Sequence, residues 1–262
     1  MMSLIVDAHA HLWFAPSFSL DEFLKWTTKF GIDKLCVSKL TSTRPASISG
    51  FTEANRDVAK AMKDYPERIL GYCYVNPCYE EEALKEFRRC LEEHKMLGLK
   101  LYTDCHCLDP RVSPLIDLAV EFRAPILIHT AHLQRRYIGA FQPFHGNPPT
   151  VSTTEEIGEL ARRHPKATFI AAHIGGGGDW EWGIKALRQP GNVMLDTGGT
   201  GVDLGMIEIA VRELGAEKIV FGTDNVLCAG LSKIYGAEIS DEDRERILGG
   251  NMMKLLQRRG TP

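Results

Sequence analysis

Short runs of aliphatic and β-branched residues recur along this chain, each followed by a longer stretch in which apolar positions return every three or four residues. The first pattern is that of buried strands, and the second that of helices with one apolar face. Strands are expected at residues 4–8, 34–40, 69–75, 98–102, 125–129, 167–172, 192–196 and 218–222. Helices are expected near 20–30, 52–65, 80–93, 114–122, 153–164, 180–188, 203–214 and 241–256. Ser19-Leu20-Asp21-Glu22 and Ser240-Asp241-Glu242-Asp243 set a hydroxyl and then acids at helix starts, where free amides and the helix dipole favour them. Pro66, Pro125 and Pro165 fall between a helix and the next strand, where a lost N–H does least harm.

Eight such pairs predict a closed α/β barrel, the (β/α)8 TIM fold, with residues 1–262 as a single domain. Two connections break the regularity, 41–51 and 132–150, both rich in Ser, Pro, Gly and aromatics. Long loops of this kind are expected to wall or cover a pocket.

In parallel barrels reactive groups gather at the carboxyl ends of the strands, where loops vary without disturbing the packed interior. His9 and His11, Tyr102 to Asp104, His129, His173, Asp196 to Gly199 and Asp224 all fall at such ends. The helix-to-strand turns carry mainly Gly, Pro, Lys and Asp. His9 and His11 lie two apart, so in an extended strand both rings project to one side and can reach one point.

Composition narrows the partners. A net charge of -3 gives no basic field for nucleic acid. No run approaches the length of a membrane span, and Met1 to Asp7 lacks the basic start of a signal peptide, so a cytoplasmic location is expected. The seven cysteines are odd in number and scattered, as expected of reduced thiols. Cys105-His106-Cys107 has zinc-ligand residue types but no second pair at finger-like spacing, which weighs against a structural zinc there.

Three imidazoles and one carboxylate around an ion, with room for water, make a catalytic rather than a structural site. The expected ligands are His9, His11, His129 and Asp224. One divalent metal is expected, zinc in first place, with manganese, iron and cobalt as alternatives for such donors. Bound zinc lowers the pKa of water toward about 7. His173 is the expected acid–base imidazole, sharing proton transfer with Asp224. The bland readings are a core or rim histidine and a turn-forming aspartate. Convergence of five such residues on one rim favours a site. Arg135 and Arg136, with Tyr137, Phe144 and His145, offer cationic and aromatic substrate contacts, and a solvated loop is the equal alternative. Gly175 to Gly178 could cradle an anion or simply allow close chain approach.

Asp7-Ala8-His9-Ala10-His11, Gly98-Leu99-Lys100-Leu101-Tyr102, Pro125-Ile126-Leu127-Ile128-His129-Thr130, Ala172-His173-Ile174-Gly175-Gly176, Phe221-Gly222-Thr223-Asp224 and Gly249-Gly250-Asn251-Met252-Met253-Lys254-Leu255-Leu256 follow one another in order. As a set they resemble the amidohydrolase superfamily, and within it the amidohydrolase-related branch of hydrolases, lactonases and aminocarboxymuconate-semialdehyde decarboxylase-like enzymes. The resemblance implies a metal-dependent barrel enzyme with His9, His11, His129 and Asp224 on the metal and His173 as the catalytic imidazole. Binuclear branches bridge two ions through a carboxylated Lys on the fourth strand. Here Lys100 is expected as an inward structural or substrate-binding cation beside one ion, since a bridging carbamate needs a second ion to hold it. Tyr102 stands where His is common, and Asn225 follows the strand-eight Asp where Pro or an apolar residue is common. Both are expected on the substrate side.

The leading expectation is a hydrolase that uses a metal-activated water on a C–N, C–O or lactone bond of a small molecule. The alternative is a metal-dependent non-oxidative decarboxylase of a small carboxylated substrate. A non-catalytic binding barrel is the third reading. Exposed barrel helices, with Trp180 and Trp182 near the rim, also make a homo-oligomer a reasonable expectation.

Overall fold

The computed structural model describes residues 4–12, 19–131, 150–174 and 180–260. Eight parallel strands follow in sequence order: β1 (Val6–His11), β2 (Lys34–Ser38), β3 (Ile69–Tyr74), β4 (Gly98–Leu101), β5 (Ile126–Ile128), β6 (Phe169–Ala171), β7 (Val193–Asp196) and β8 (Ile219–Val220). Each pairs with the next. The ring closes where the Ala8 N–H donates to the Phe221 carbonyl at 2.8 Å and the Asp224 N–H to the His9 carbonyl at 2.7 Å. All eight sequence-expected strands are present. The first is displaced toward the rim, so that His9 and His11 lie inside β1 and not beyond it.

Helices α1 (Leu20–Lys29), α2 (Ile48–Asp64), α3 (Glu80–Glu92), α4 (Ser113–Glu121), α5 (Thr154–Arg163), α6 (Trp180–Ala186) and α7 (Met206–Leu214) follow the first seven strands. Ser19 and Thr153 cap α1 and α5 with reciprocal bonds to Glu22 and Glu156, satisfying amides that the first helical turn leaves unpaired. Helix α2 starts inside the expected 41–51 loop, at Ile48, because Ser47 caps it. Alternate strand positions go to two buried clusters, one shared with the helices around Leu35, Val37, Phe51, Phe87, Leu99 and Phe169, the other around Val6, Ala8, Leu70, Leu127, Ile170 and Val220.

The chain after β8 departs from expectation. Leu227–Tyr235 forms a helix, α8, that periodicity did not single out. The single helix expected at 241–256 is three pieces: α9 (Asp241–Glu245), a wide π turn at Arg246–Gly250, and α10 (Asn251–Arg259). The break has a steric cause. A Cβ on Gly249 would lie 1.8 Å from the Leu4 carbonyl oxygen, so helix and β1 approach as only glycine permits.

Every cysteine is free, as expected. Trp180 packs against the core and donates to Asp203, whereas Trp182 is exposed. No described helix is long and apolar enough to cross a membrane.

Candidate metal centre

The alternation of β1 sends the His9 and His11 rings to one place. Their Nε2 atoms are 3.2 Å apart, and Asp224 Oδ1 lies 3.1 Å from His11 Nε2 and 3.7 Å from His9 Nε2. These three side chains form the one group of potential metal ligands among the described residues, with all donor atoms within 4.8 Å of one another. Cys105-His106-Cys107 forms no such group; His106 pairs with Glu156 at 3.1 Å and both thiols are buried.

Each ring is aimed by its other nitrogen. His9 Nδ1 is 2.8 Å from Asp196 Oδ2, and His11 Nδ1 is 2.9 Å from Ser38 Oγ. Sheet register places Ser38 directly beside His11. With Nδ1–H donated outward, each Nε2 lone pair faces the cluster.

His129 and His173 complete the floor. Their rings meet edge-on at 4.7 Å between centroids, and His173 stacks on His9 at 5.1 Å. His129 therefore adjoins the cluster but stands outside its tightest group. His173 Nδ1 is 3.2 Å from the Thr130 carbonyl, and its Nε2 is buried with no hydrogen-bond partner, 3.5 Å from Asp224 Oδ2. His173, Asp224 and Asn225 all hold positive φ, at 71°, 52° and 64°, a conformation side chains adopt only when their surroundings enforce it.

The electrostatics suit cation binding. Burial lowers the pKa of His9, His11 and His173 and pushes that of His129 down to about 2, with the neighbouring His173 and Lys100 adding to the effect. The imidazoles are neutral, the form that ligates. Burial opposes ionisation of Asp224, but His11, His9 and His173 more than offset it and hold the carboxyl below its usual range. Neutral nitrogen donors, an ionised carboxylate and an orphaned buried nitrogen fit a divalent metal. Their residue types do not distinguish zinc from manganese.

Lys100 is fully buried, with Nζ 2.9 Å from His9 Nε2, so it points inward as expected and touches a ligand candidate. Burial lowers its amine to about 8 against the attraction of Asp224 and Asp196. Asn225 corrects an expectation. Its side chain is not turned to substrate: Oδ1 accepts from the His11 N–H and Nδ2 donates to the His11 carbonyl, both at 2.9 Å, tying the loop of Asp224 to β1. Asp7 adds a second tie, accepting from the Thr223 amide at 3.0 Å and the Thr223 hydroxyl at 2.5 Å.

Above the cluster opens a cavity of about 800 Å³ lined by His11, Tyr102, His129, His173, Asp224 and residues of the loop after β2. Tyr102 takes its expected place there, 4.4 Å from His129 between ring centroids. Arg135 and Arg136, the expected substrate-binding arginines, lie outside the described residues, as does the Gly175 to Gly178 run. Two described cations line the cavity, Lys39, which pairs with Asp57, and Arg44, which sequence reading passed over. Arg44 lies over the Tyr102 ring with Cζ 3.8 Å from the centroid. Its loop is pinned two residues on, where the Ala46 N–H donates to Asp104 at 2.7 Å and Asn76 donates to the Ala46 carbonyl at 2.9 Å. Tyr74 donates to the same Asp104 carboxylate.

Comparison with known proteins agrees with this architecture. Residues 6–258 match the Amidohydrolase family. The 2-amino-3-carboxymuconate-6-semialdehyde decarboxylase of Dictyostelium discoideum is 23% identical over 236 residues, covering 77% of this chain and 65% of that protein. The chain thus spans about two thirds of the length of the curated relative it matches. The crystal structure of 2,6-dihydroxybenzoate decarboxylase from Rhizobium superposes with a TM-score of 0.73 at 18% identity, over 98% of both chains. That of dihydroxybenzoic acid decarboxylase from Polaromonas sp. JS666, with bound manganese and the inhibitor 2-nitroresorcinol, gives 0.73 at 15% identity, over 97% of this chain and 96% of that one. Likeness at these identities shows the shared barrel. The match along nearly the whole chain shows more: this protein belongs to the amidohydrolase family.

Proposed function

We propose that this chain is a divalent-metal-dependent, non-oxidative decarboxylase of a small planar acid. The observation that carries this reading is the cavity itself, which sets a floor of neutral imidazoles and an ionised Asp224 below an Arg44 guanidinium whose Cζ lies 3.8 Å from the Tyr102 ring centroid. A planar guanidinium fork is a carboxylate receptor, and the aromatic ring beneath it holds the fork in place. Hydrolysis, the leading expectation from sequence, needs no such receptor. The named relatives are decarboxylases, which favours proton delivery to carbon over addition of water.

His9, His11 and Asp224 would hold the metal, with His129 adjoining, and zinc and manganese are the two ions to load. A bound ion would supply Lewis-acid polarisation of a substrate oxygen. The chain's own residues do the rest. Arg44 and Tyr102 seat and orient the acid, while the half-buried rings of His129 and His173 line the cavity where the reacting carbon would lie. His173, neutral with its Nδ1–H toward the Thr130 carbonyl, takes up a proton from water at Nε2, with Asp224 Oδ2 next to it. That proton is delivered to the carbon that bears the carboxylate. The C–C bond then breaks, its electron pair staying with the carbon that took the proton, so that acid anion and proton become the arene or diene and carbon dioxide.

The test loads the full chain with zinc or manganese and offers a panel of carboxylated dihydroxyarenes and aminocarboxymuconate semialdehyde, beside amides and lactones. Metal-dependent release of carbon dioxide supports the reading. Hydrolysis of an amide or lactone with no carbon dioxide from any acid overturns it and restores the hydrolase.

A further inference from the structure

Asp196 ends β7 and is fully buried, yet it accepts hydrogen bonds from three different parts of the rim. Oδ2 takes His9 Nδ1 at 2.8 Å; Oδ1 takes the Gly198 amide at 2.5 Å and the His173 amide at 3.2 Å. We propose that Asp196 is the positioning residue of the site, fixing the His9 ring with Nε2 toward the metal and holding the His173 backbone in its left-handed conformation. The inference rests on the reading of His9 as a ligand and His173 as the proton carrier.

The contacts around Asp196 make it a specific device. Lys100 approaches His9 from the opposite side, with Nζ 2.9 Å from Nε2. An ammonium can only donate, so Nε2 accepts and the proton of His9 must sit on Nδ1, facing Asp196. Two partners on opposite faces therefore select one tautomer. The loop that supplies the Gly198 amide is itself clamped by Lys233, a buried lysine of α8 that donates to the carbonyls of Gly198 at 3.3 Å and Gly199 at 2.9 Å. There is no slack: a Cβ on Gly198 would lie 2.7 Å from Asp196 Oδ1 and 3.3 Å from His9 Nδ1.

An amide cannot replace this carboxylate. Asp196 offers two acceptor oxygens to three N–H groups, whereas Asn has one oxygen and an NH2 that can only donate. Either orientation sets N–H against N–H, toward His9 or toward the two backbone amides.

The experiment compares the full-length parent with Asp196→Asn in two readouts. The first is zinc affinity by chelator competition, where losing such a partner weakens binding about ten- to a hundredfold. The second is the His9 tautomer in metal-free protein by long-range proton–nitrogen NMR, which a generally loosened fold would not move in this specific way. Weaker zinc binding with loss of the Nδ1-protonated His9 signal, at unchanged circular dichroism, is the expected result. Parent-like affinity and tautomer in the folded variant overturn the proposal. If the parent binds no zinc or manganese, the reading of His9 as a ligand fails, and an unchanged His9 tautomer in Asp196→Asn then overturns the positioning role as well. Should Asp196→Asn not fold, Gly198→Ala displaces the same carboxylate and is expected to weaken zinc at least tenfold, with parent-like affinity again overturning the proposal.

Discussion

Replacing Arg44 with Met keeps the length and apolar stem of the side chain and removes the charge and the planar fork. In the structure the guanidinium lies 3.8 Å above Tyr102 and its loop is held at Ala46 by Asp104 and Asn76, so the receptor is built before substrate arrives. A charge-assisted hydrogen bond contributes about 1.5–3 kcal/mol. Unit charges about 4 Å apart interact by about 4 kcal/mol at an effective dielectric of about 20 and by about 1 kcal/mol in water. Arg44 is exposed at the cavity mouth, so the lower half of the first range applies. A loss of about 1.5–2 kcal/mol is roughly a ten- to thirtyfold fall in kcat/KM. Arg44 would hold the carboxylate alike in the ground and transition states, so the fall should sit in KM, with kcat little changed. Arg44→Lys keeps the charge but cannot stack or fork, and should recover only part of the loss. Steady-state kinetics on the best carboxylated substrate, with inhibition by a ring analogue lacking the carboxylate as control, gives the answer. A Met variant within twofold of the parent in kcat/KM would refute the assignment of Arg44 as the acid receptor.

Ser38→Ala removes the acceptor of His11 Nδ1 and should weaken zinc about tenfold, read by chelator competition, with the fold retained. Gly249→Ala forces a Cβ against the Leu4 carbonyl and should lower unfolding free energy by about 1–3 kcal/mol in a denaturant titration; an unchanged midpoint would show that the π turn relaxes freely. Lys233→Met tests a pH linkage, because burial lowers this amine from 10.5 to about 8 against the pull of Asp196 and Asp224. A base with a depressed folded pKa binds fewer protons in the native than in the unfolded state, so its penalty is full below about 8 and fades as pH rises to 10.5. At 1.36 kcal/mol per unit the parent should therefore gain up to about 3 kcal/mol on the variant across that window; a pH-independent difference in urea unfolding would exclude the linkage.

Strand positions and the rim histidines were legible in the sequence because both depend on local alternation. A run such as Phe169-Ile170-Ala171 is apolar whatever surrounds it, and His9 and His11 share a side by spacing alone. What escaped was set by partners distant in the chain. Helix α8 carries Gly230 and a lysine that reads as solvated, yet Lys233 is buried because two carbonyls 34 and 35 residues away receive it. Asn225 looked like a residue facing substrate, and only closure of β8 onto β1 brings it to the His11 backbone, 214 residues earlier. Arg44 was passed over because its loop reads as irregular polar chain; nothing local tells that Asp104, 58 residues beyond Ala46, will pin it.

The same contrast explains how the site is put together. The residues proposed to touch the metal sit at strand ends, where short-range pattern displays them; Arg44, in the loop after β2, is the exception. Those that aim them, Asp196, Ser38, Asp7 and Asn225, are bound through contacts across the closed ring. Burial raises the Asp7 carboxyl to about 7 and lowers the Lys100 amine to about 8, so these groups would be poorly placed in any arrangement that separated them from their partners. Barrel closure joins them: it brings Thr223 to Asp7, Asp224 to His9 and His11, and Asn225 to the end of β1. The positive φ at Asp224 and Asn225 lies at that seam, where hydrogen bonds from both sides can hold a conformation that the local sequence does not favour. A change that loosens the β8–β1 seam should therefore disturb the ligand cluster before it disturbs the outer helices.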